Sequence, residues 1–252
     1  MPDLAGTAWL LVAAALLVGF AKTSIGGAAS ISVAVFAAVL PSRESTGTLL
    51  PLLLVGDVMA VLIYRRHANW GLLLRLLPWV AAGTVLGAVF ISRVDDAVMR
   101  RVIGVVLLVL VVVQLVTRGG RLQGAVGAPT AGRRRSTRRA AAAVGVIAGF
   151  ATMVANAAGP VMTLYLLMAG LPMLEFLGTA AWFFLIVNAV KVPFSVGLGL
   201  LDTQALLFDL WLVPAVVAGA VVGRYVIRRT KQKQFEWAAL LLTAVAAVPL
   251  LL

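Results

Sequence analysis

The sequence predicts an all-α, polytopic integral membrane protein. It is read as two inverted repeats of about five helical segments each, with the first helix pair of each repeat broken into a hairpin. Three observations predict this. First, 62% of the 252 residues are hydrophobic and 12% are charged, whereas a soluble domain carries about 25% charged residues. Second, the charges gather between apolar runs of roughly 16–24 residues, long enough to cross or nearly cross a bilayer at about 1.5 Å per residue. Third, the two halves share a pattern. Gly19-Phe20, Leu40-Pro41, Gly47-Thr48, Gly56-Asp57, Pro78, Gly83 and Gly87 reappear as Gly149-Phe150, Leu171-Pro172, Gly178-Thr179, Val187-Asn188, Pro214, Gly219 and Gly223. A duplicated, almost wholly apolar chain is the sequence signature of a membrane transporter.

The segments follow in order. In hydrocarbon every backbone polar group must be satisfied within the chain, so the apolar runs are expected to be helices. Those of the first half are 5–22, 25–40, 47–64, 72–91 and 100–117. No Lys or Arg precedes Lys22 and Asp3 lies near the start, so residues 8–22 lack the basic region of a signal peptide and read as a retained helix. Pro41 and Gly71 punctuate the next boundaries. Val102–Val116 is rich in β-branched residues, but its length argues for helix. The second half gives 140–154, 157–170, 177–197, 204–227 and 235–252, with cuts at Pro172 and Gly197–Gly199. The expected organisation is therefore a first transmembrane repeat at 1–117, an Arg-rich cytoplasmic linker at 118–139 and a second repeat at 140–252.

Loop charges choose between inverted and parallel halves. If each half crosses an odd number of times, one side receives Arg65, Arg66, the seven arginines of Arg118–Arg139, and Arg224, Arg228, Arg229, Lys231 and Lys233, 14 in all. The other side receives four: Arg43, Arg93, Arg100 and Arg101. Parallel halves would split them 9 against 9. Cytoplasmic loops carry an excess of Lys and Arg, so the inverted arrangement is favoured. It places the linker in the cytoplasm and both termini outside, in the cell (inner) membrane. Whether the broken pairs span fully or dip in and return stays open at this level.

Each half breaks its first helix pair with small or polar residues. The first break is Lys22-Thr23-Ser24-Ile25-Gly26-Gly27; the second runs from Thr152 through Asn156 to Gly159-Pro160. Gly26 and Gly27 permit backbone angles that other residues resist. Pro160 suits a first helical turn, and Thr23 or Ser24 could cap the helix that follows. A helix start inside a membrane presents free N–H groups and a partial positive charge, which suits an anion. Two such starts could meet near the midplane. The alternative is a tight turn whose small residues serve close packing.

Several motifs carry a family resemblance. They are Gly19-Phe20-Ala21-Lys22-Thr23-Ser24-Ile25-Gly26-Gly27, Leu40-Pro41-Ser42-Arg43-Glu44-Ser45-Thr46-Gly47-Thr48 and Tyr64-Arg65-Arg66-His67-Ala68-Asn69-Trp70, echoed by Gly149-Phe150 and Gly178-Thr179. Through them the chain resembles the TauE/SafE family of sulfite exporters and anion permeases over nearly its whole length. The resemblance implies transport of sulfite, sulfonates or related sulfur-containing anions. It does not fix the substrate or the direction. Where the family often has three consecutive glycines, this chain has Gly26-Gly27-Ala28 and, in the second half, Asn156-Ala157-Ala158.

Polar residues within the spans complete the candidate site. Asp57 is expected to face a cavity or a partner, because a charge at a helix centre costs about 2.5–3.5 kcal/mol on insertion scales. It is either a proton carrier or half of an ion pair with Lys22 or a helix-end arginine. Asn188 is its counterpart in the second half, and Lys191 follows on nearly the same helical face. Lys191 could attract an anion or snorkel to an interface, and Lys22 has the same two readings. The substrate-lining candidates are thus Lys22, Thr23, Ser24, Gly26, Gly27, Thr152, Asn156, Gly159, Asn188 and Lys191, with Asp57 for proton coupling. Asp209 and Arg75 read as pairing or snorkelling residues.

Other functions are weighed against this one. The absence of cysteine rules out disulfides, thiolate metal sites and cysteine nucleophiles. A lone His67 in a basic loop builds no metal site, and no cofactor is implied. No Gly-x-Ser-x-Gly elbow suggests a hydrolase, and no Gly-rich loop ending in Lys-Ser or Lys-Thr suggests ATP use. The net charge of +12 resides in loops that set topology and meet anionic lipid heads, so no nucleic-acid partner is expected. The expected partners are a small anionic substrate and the bilayer, and the sequence is equally compatible with a homodimer. The alternative from a different class is a non-transporting membrane subunit or scaffold.

Overall fold

The computed structural model describes residues 4–24, 29–40, 42–95, 97–99, 101, 102, 105, 134–201, 203–231 and 234. Among the described residues the α-helices α1 Leu4–Thr23, α2 Ala29–Val39, α3 Ser42–Tyr64, α4 Trp70–Ile91, α5 Arg134–Ala155, α6 Ala158–Met168, α7 Met173–Gly197 and α8 Thr203–Arg228 follow one another. A short 3-10 turn, Arg65–His67, joins α3 to α4. The described residues form no strand. By length and composition α3, α4, α7 and α8 are long and apolar enough to cross a membrane, and α1 and α5 contain shorter apolar stretches. The protein is an all-α membrane protein.

Most helices follow the expected segments. Two boundaries differ. α3 begins at Ser42 rather than 47, because the residues after Pro41 are polar and include Glu44, which suits the positive end of a helix. α5 begins at Arg134 rather than 140, so the last residues of the expected linker are helical. Arginine is a good helix former. The expected segments 100–117 and 235–252 fall largely outside the described residues, as do 118–133, Gly26, Gly27 and Pro41.

The hairpins have unequal arms. α2 and α6 are 11 residues each, about 16 Å of helix, roughly half the hydrocarbon thickness.

Helices of one half pack on helices of the other, through glycine. A methyl group placed on Gly19 of α1 would lie 1.8 Å from the Val216 carbonyl oxygen of α8, and one on Gly219 of α8 would lie 1.9 Å from the Leu16 carbonyl oxygen of α1. α4 and α5 repeat the arrangement: Gly83 faces Val146 O at 2.2 Å and Gly149 faces Val80 O at 2.1 Å. Small residues let helix backbones approach this closely in a membrane. Gly19 and Gly149 are equivalent in the two halves, as are Gly83 and Gly219, so equivalent glycines make equivalent contacts. The register also gives direction. Residue numbers rise together along α1 and α8, and along α4 and α5, so each pair runs parallel.

α3 and α7 run antiparallel. Gly47 near the start of α3 abuts the backbone of Leu200 beyond α7, while Gly178 near the start of α7 abuts Tyr64 and His67 beyond α3. Asn69 N–H donates to Thr179 Oγ1 at 2.9 Å, and the rings of Trp70 and Trp182 stand 5.2 Å apart. This geometry brings the start of α4, the start of α7 and the ends of α1 and α8 to one side. Arg65, Arg66, Arg134, Arg228 and Arg229 lie on that side. The end of α4, with Arg93, lies on the other.

Candidate functional site

The polar groups of the spans converge where α3 crosses α7. Asp57 is fully buried. Lys22 Nζ lies 2.7 Å from its Oδ1, and the Lys22 side chain is 6% exposed. Asn188 Nδ2 donates to Asp57 Oδ2 at 2.6 Å. The Lys22 ammonium also stands 4.2 Å from the centre of the Phe184 ring, a cation–π contact strengthened by exclusion of water. Of the two readings of Asp57, the structure thus contains the ion pair with Lys22. Gly56 makes room for it, since a methyl there would meet Lys22 Cγ at 2.9 Å.

A second arm of the network comes from the hairpin tip between α5 and α6. Asn156 has a φ of 50°, a left-handed conformation that asparagine adopts more readily than most residues. Its N–H donates to Thr152 O at 3.0 Å, which closes the end of α5 in an αL cap. The cap fixes the Asn156 side chain. Its Nδ2 donates to the Thr46 carbonyl at 3.1 Å, and its Oδ1 accepts from Lys191 Nζ. Lys191 is 1% exposed, so it is buried rather than snorkelling.

Between the two hairpin tips lies a cavity of about 30 Å³, bounded by Lys22, Ser24, Thr152, Asn156, Gly159 and Asn188 among others. That is room for about two water molecules. Ala29, at the start of α2, and Gly159, in the first turn of α6, both reach its wall. The α6 start has no side-chain cap. Ala29 of α2 and Gly159 of α6 thus border the same cavity.

The candidates divide as follows. Lys22, Ser24, Thr152, Asn156, Gly159 and Asn188 line the cavity, and Asp57 and Lys191 join it through hydrogen-bonded neighbours. Thr23 stands behind the wall: its hydroxyl donates to Ala220 O of α8 at 2.8 Å and to Gly19 O at 3.1 Å. Ser24 donates to Phe20 O at 2.5 Å. Both hydroxyls donate to carbonyls near the end of α1, where the last carbonyls of a helix need donors. Tyr64 reinforces that end by donating to Thr23 O at 2.7 Å. Gly26 and Gly27 are not among the described residues. His67 is exposed in the 3-10 turn, away from the network. Arg75 is exposed, consistent with snorkelling.

Phe184 and Thr46 were not legible as site residues. Phe184 had a usable signal: Phe184, Asn188, Lys191 and Ser195 recur at helical spacing and share a face. Thr46 had none, since it contributes a main-chain carbonyl. Asp209 corrects an expectation. It is 2% exposed, yet among the described residues neither carboxylate oxygen has a hydrogen-bond partner. It lies well inside α8, where its short side chain cannot reach the interface.

The family model for the sulfite exporter TauE/SafE matches residues 11–250. No curated protein and no solved structure matches.

Proposed function

The chain belongs to the TauE/SafE family of membrane transporters, and on that premise we propose that it is a secondary transporter for a small anion, sulfite or a related sulfur oxyanion or organosulfonate. One observation carries the anion. Among the described residues, buried Lys191 has a neutral partner, Asn156, while the described carboxylate of the network, Asp57, is taken by Lys22. Two lysines and one aspartate leave the network with one excess positive charge. An uncompensated charge at a helix centre costs about 2.5–3.5 kcal/mol. A bound monoanion removes the imbalance.

The same count gives a route to proton coupling. A dianion would overshoot to one negative charge unless Asp57 took a proton. An anion drawing Lys22 toward itself leaves the Asp57 carboxylate without its counter-ion, and desolvation then favours the neutral acid. Anion and proton would bind together. The cavity is too small for a multi-atom anion as it stands, so loading requires the α1–α2 and α5–α6 tips to separate.

The halves are inverted in the membrane in this reading, with the linker side cytoplasmic and the N-terminus outside. The antiparallel pairing of α3 with α7 and the gathering of basic residues on one side support it. Each half then supplies one tip, as in other inverted-repeat transporters.

The test is purified protein in proteoliposomes loaded with sulfite, together with thermal unfolding across a panel of anions. Uptake by the chain alone and a raised Tm with sulfur oxyanions are expected, because a ligand that prefers the folded state stabilises it. No uptake and no stabilisation by any anion would leave the non-transporting subunit instead.

A further inference from the structure

Asp209 is a buried carboxyl that the network above does not use. It sits in α8 six residues after Thr203, about 9 Å along the helix from its start. It is 2% exposed, and among the described residues neither oxygen has a hydrogen-bond partner. Its neighbours in sequence, Phe208, Leu212 and Val213, belong to an apolar cluster with Leu11, Phe36 and Leu49. The repeat sharpens the anomaly. Pro78, Gly83 and Gly87 correspond to Pro214, Gly219 and Gly223, so Asp209 corresponds to Leu73, which is 0% exposed in the core of the other half. Packing at this position is satisfied by leucine. A carboxyl there is not explained by the fold.

An ionised carboxylate in such a place, without donor or counter-ion among the described residues, is disfavoured far more than a neutral acid. α8 packs chiefly on α1 and α3. The only charged residue of described α1 is Lys22; α3 carries Arg43, Glu44, Asp57 and Tyr64. Lys22 is engaged by Asp57 and lies level with Gly219 and Gly223 of α8, about 15–20 Å along the helix from Asp209. Tyr64 closes α3 at that same far end. Arg43 and Glu44 open α3 at the end where α8 begins, toward the outer side. Arg224, Tyr225, Arg228 and Arg229 are on the opposite side of the membrane.

We propose that Asp209 is a proton-binding site, occupied in the conformation seen here and emptied when α8 moves to admit water from the outer side. It is separate from Asp57. A proton taken from that side neutralises the side chain and lets α8 seat on α1; loss of the proton favours the hydrated arrangement. Because α1 carries Lys22 and abuts α8 through Gly19 and Gly219, movement of α8 is transmitted to the anion site. The inference rests on the transporter reading for its consequence, but the proton itself is measured independently.

The experiment has two arms on the full chain. Infrared difference spectroscopy of the reconstituted protein reads the C=O stretch of a protonated carboxyl at neutral pH. The band is expected in wild type and in Asp57→Asn, and lost in Asp209→Asn. Its absence from wild type, or its survival in Asp209→Asn, overturns the proposal. The second arm measures sulfite uptake with and without an imposed pH gradient. Asp209→Asn is expected to keep sulfite exchange between equal pools while losing most of the stimulation by the gradient. Undiminished stimulation in Asp209→Asn overturns the coupling role. The band without any sulfite movement in wild type upholds the proton site and counts against the substrate assigned above. Asp209→Leu, matching Leu73, serves as a second variant that folds without a polar group, and it must lose the band as well.

Discussion

Asp57 and Asn188, 131 residues apart in the chain, meet at 2.6 Å between Oδ2 and Nδ2. They hold matching places in the repeat read from the sequence, at offset 131, and the antiparallel pairing of α3 with α7 brings them together. At that point the repeat is chemically unequal: one copy supplies a carboxylate and the other an amide. Two aspartates facing each other there would repel, and two asparagines would leave Lys22 without a counter-ion.

Breaking the Lys22–Asp57 pair from one side strands a buried charge. Lys22→Met or Asp57→Asn alone is expected to destabilise the protein by about 3–5 kcal/mol. The double variant Lys22→Met/Asp57→Asn is expected to recover a large part of that loss. Thermal unfolding of the four proteins in one detergent measures it, and simple additivity of the single losses would contradict the pairing.

Lys191 behaves differently, because its partner is neutral. Lys191→Met removes a buried charge and leaves an amide, so the ligand-free protein is expected to unfold at an equal or higher temperature. The stabilisation by sulfite is expected to vanish. A retained ligand-induced shift in Tm would place the excess charge elsewhere.

Equivalent glycines should have equivalent sensitivity. Gly19→Ala and Gly149→Ala each push a methyl group onto a carbonyl oxygen of the facing helix, and losses of about 1–3 kcal/mol are expected for both. Gly197, with nothing within 4 Å of an added methyl, serves as the control, with a change within about 0.5 kcal/mol. Strongly unequal losses for the matched pair would argue against equivalent helix packing.

Orientation is accessible because the chain lacks native cysteine. Single substitutions Arg66→Cys and Thr230→Cys should react with a membrane-impermeant thiol reagent from the cytoplasmic side. Ser92→Cys, at the far end of α4, should react only from outside. Labelling of Arg66→Cys and Ser92→Cys from the same side would remove the proposed topology.

Lysine and aspartate inside long apolar runs, two broken helix pairs and matched glycines were all visible in the sequence. They were visible because each is a local signal. Hydropathy reports the solvent a segment prefers, and Gly, Pro and Asn report where a helix must bend or stop. The same signals placed Asn156 at a break and Asp57 opposite Asn188. What the tertiary structure decided is which surfaces touch. α1 packs on α8 and α4 on α5, where glycines on both helices let backbones approach. That packing carries Lys22 to Asp57, sets Lys191 against an amide, and buries Asp209 without a hydrogen-bond partner among the described residues. None of these pairings is encoded by spacing along the chain, since each depends on distances between segments that a helix period cannot report.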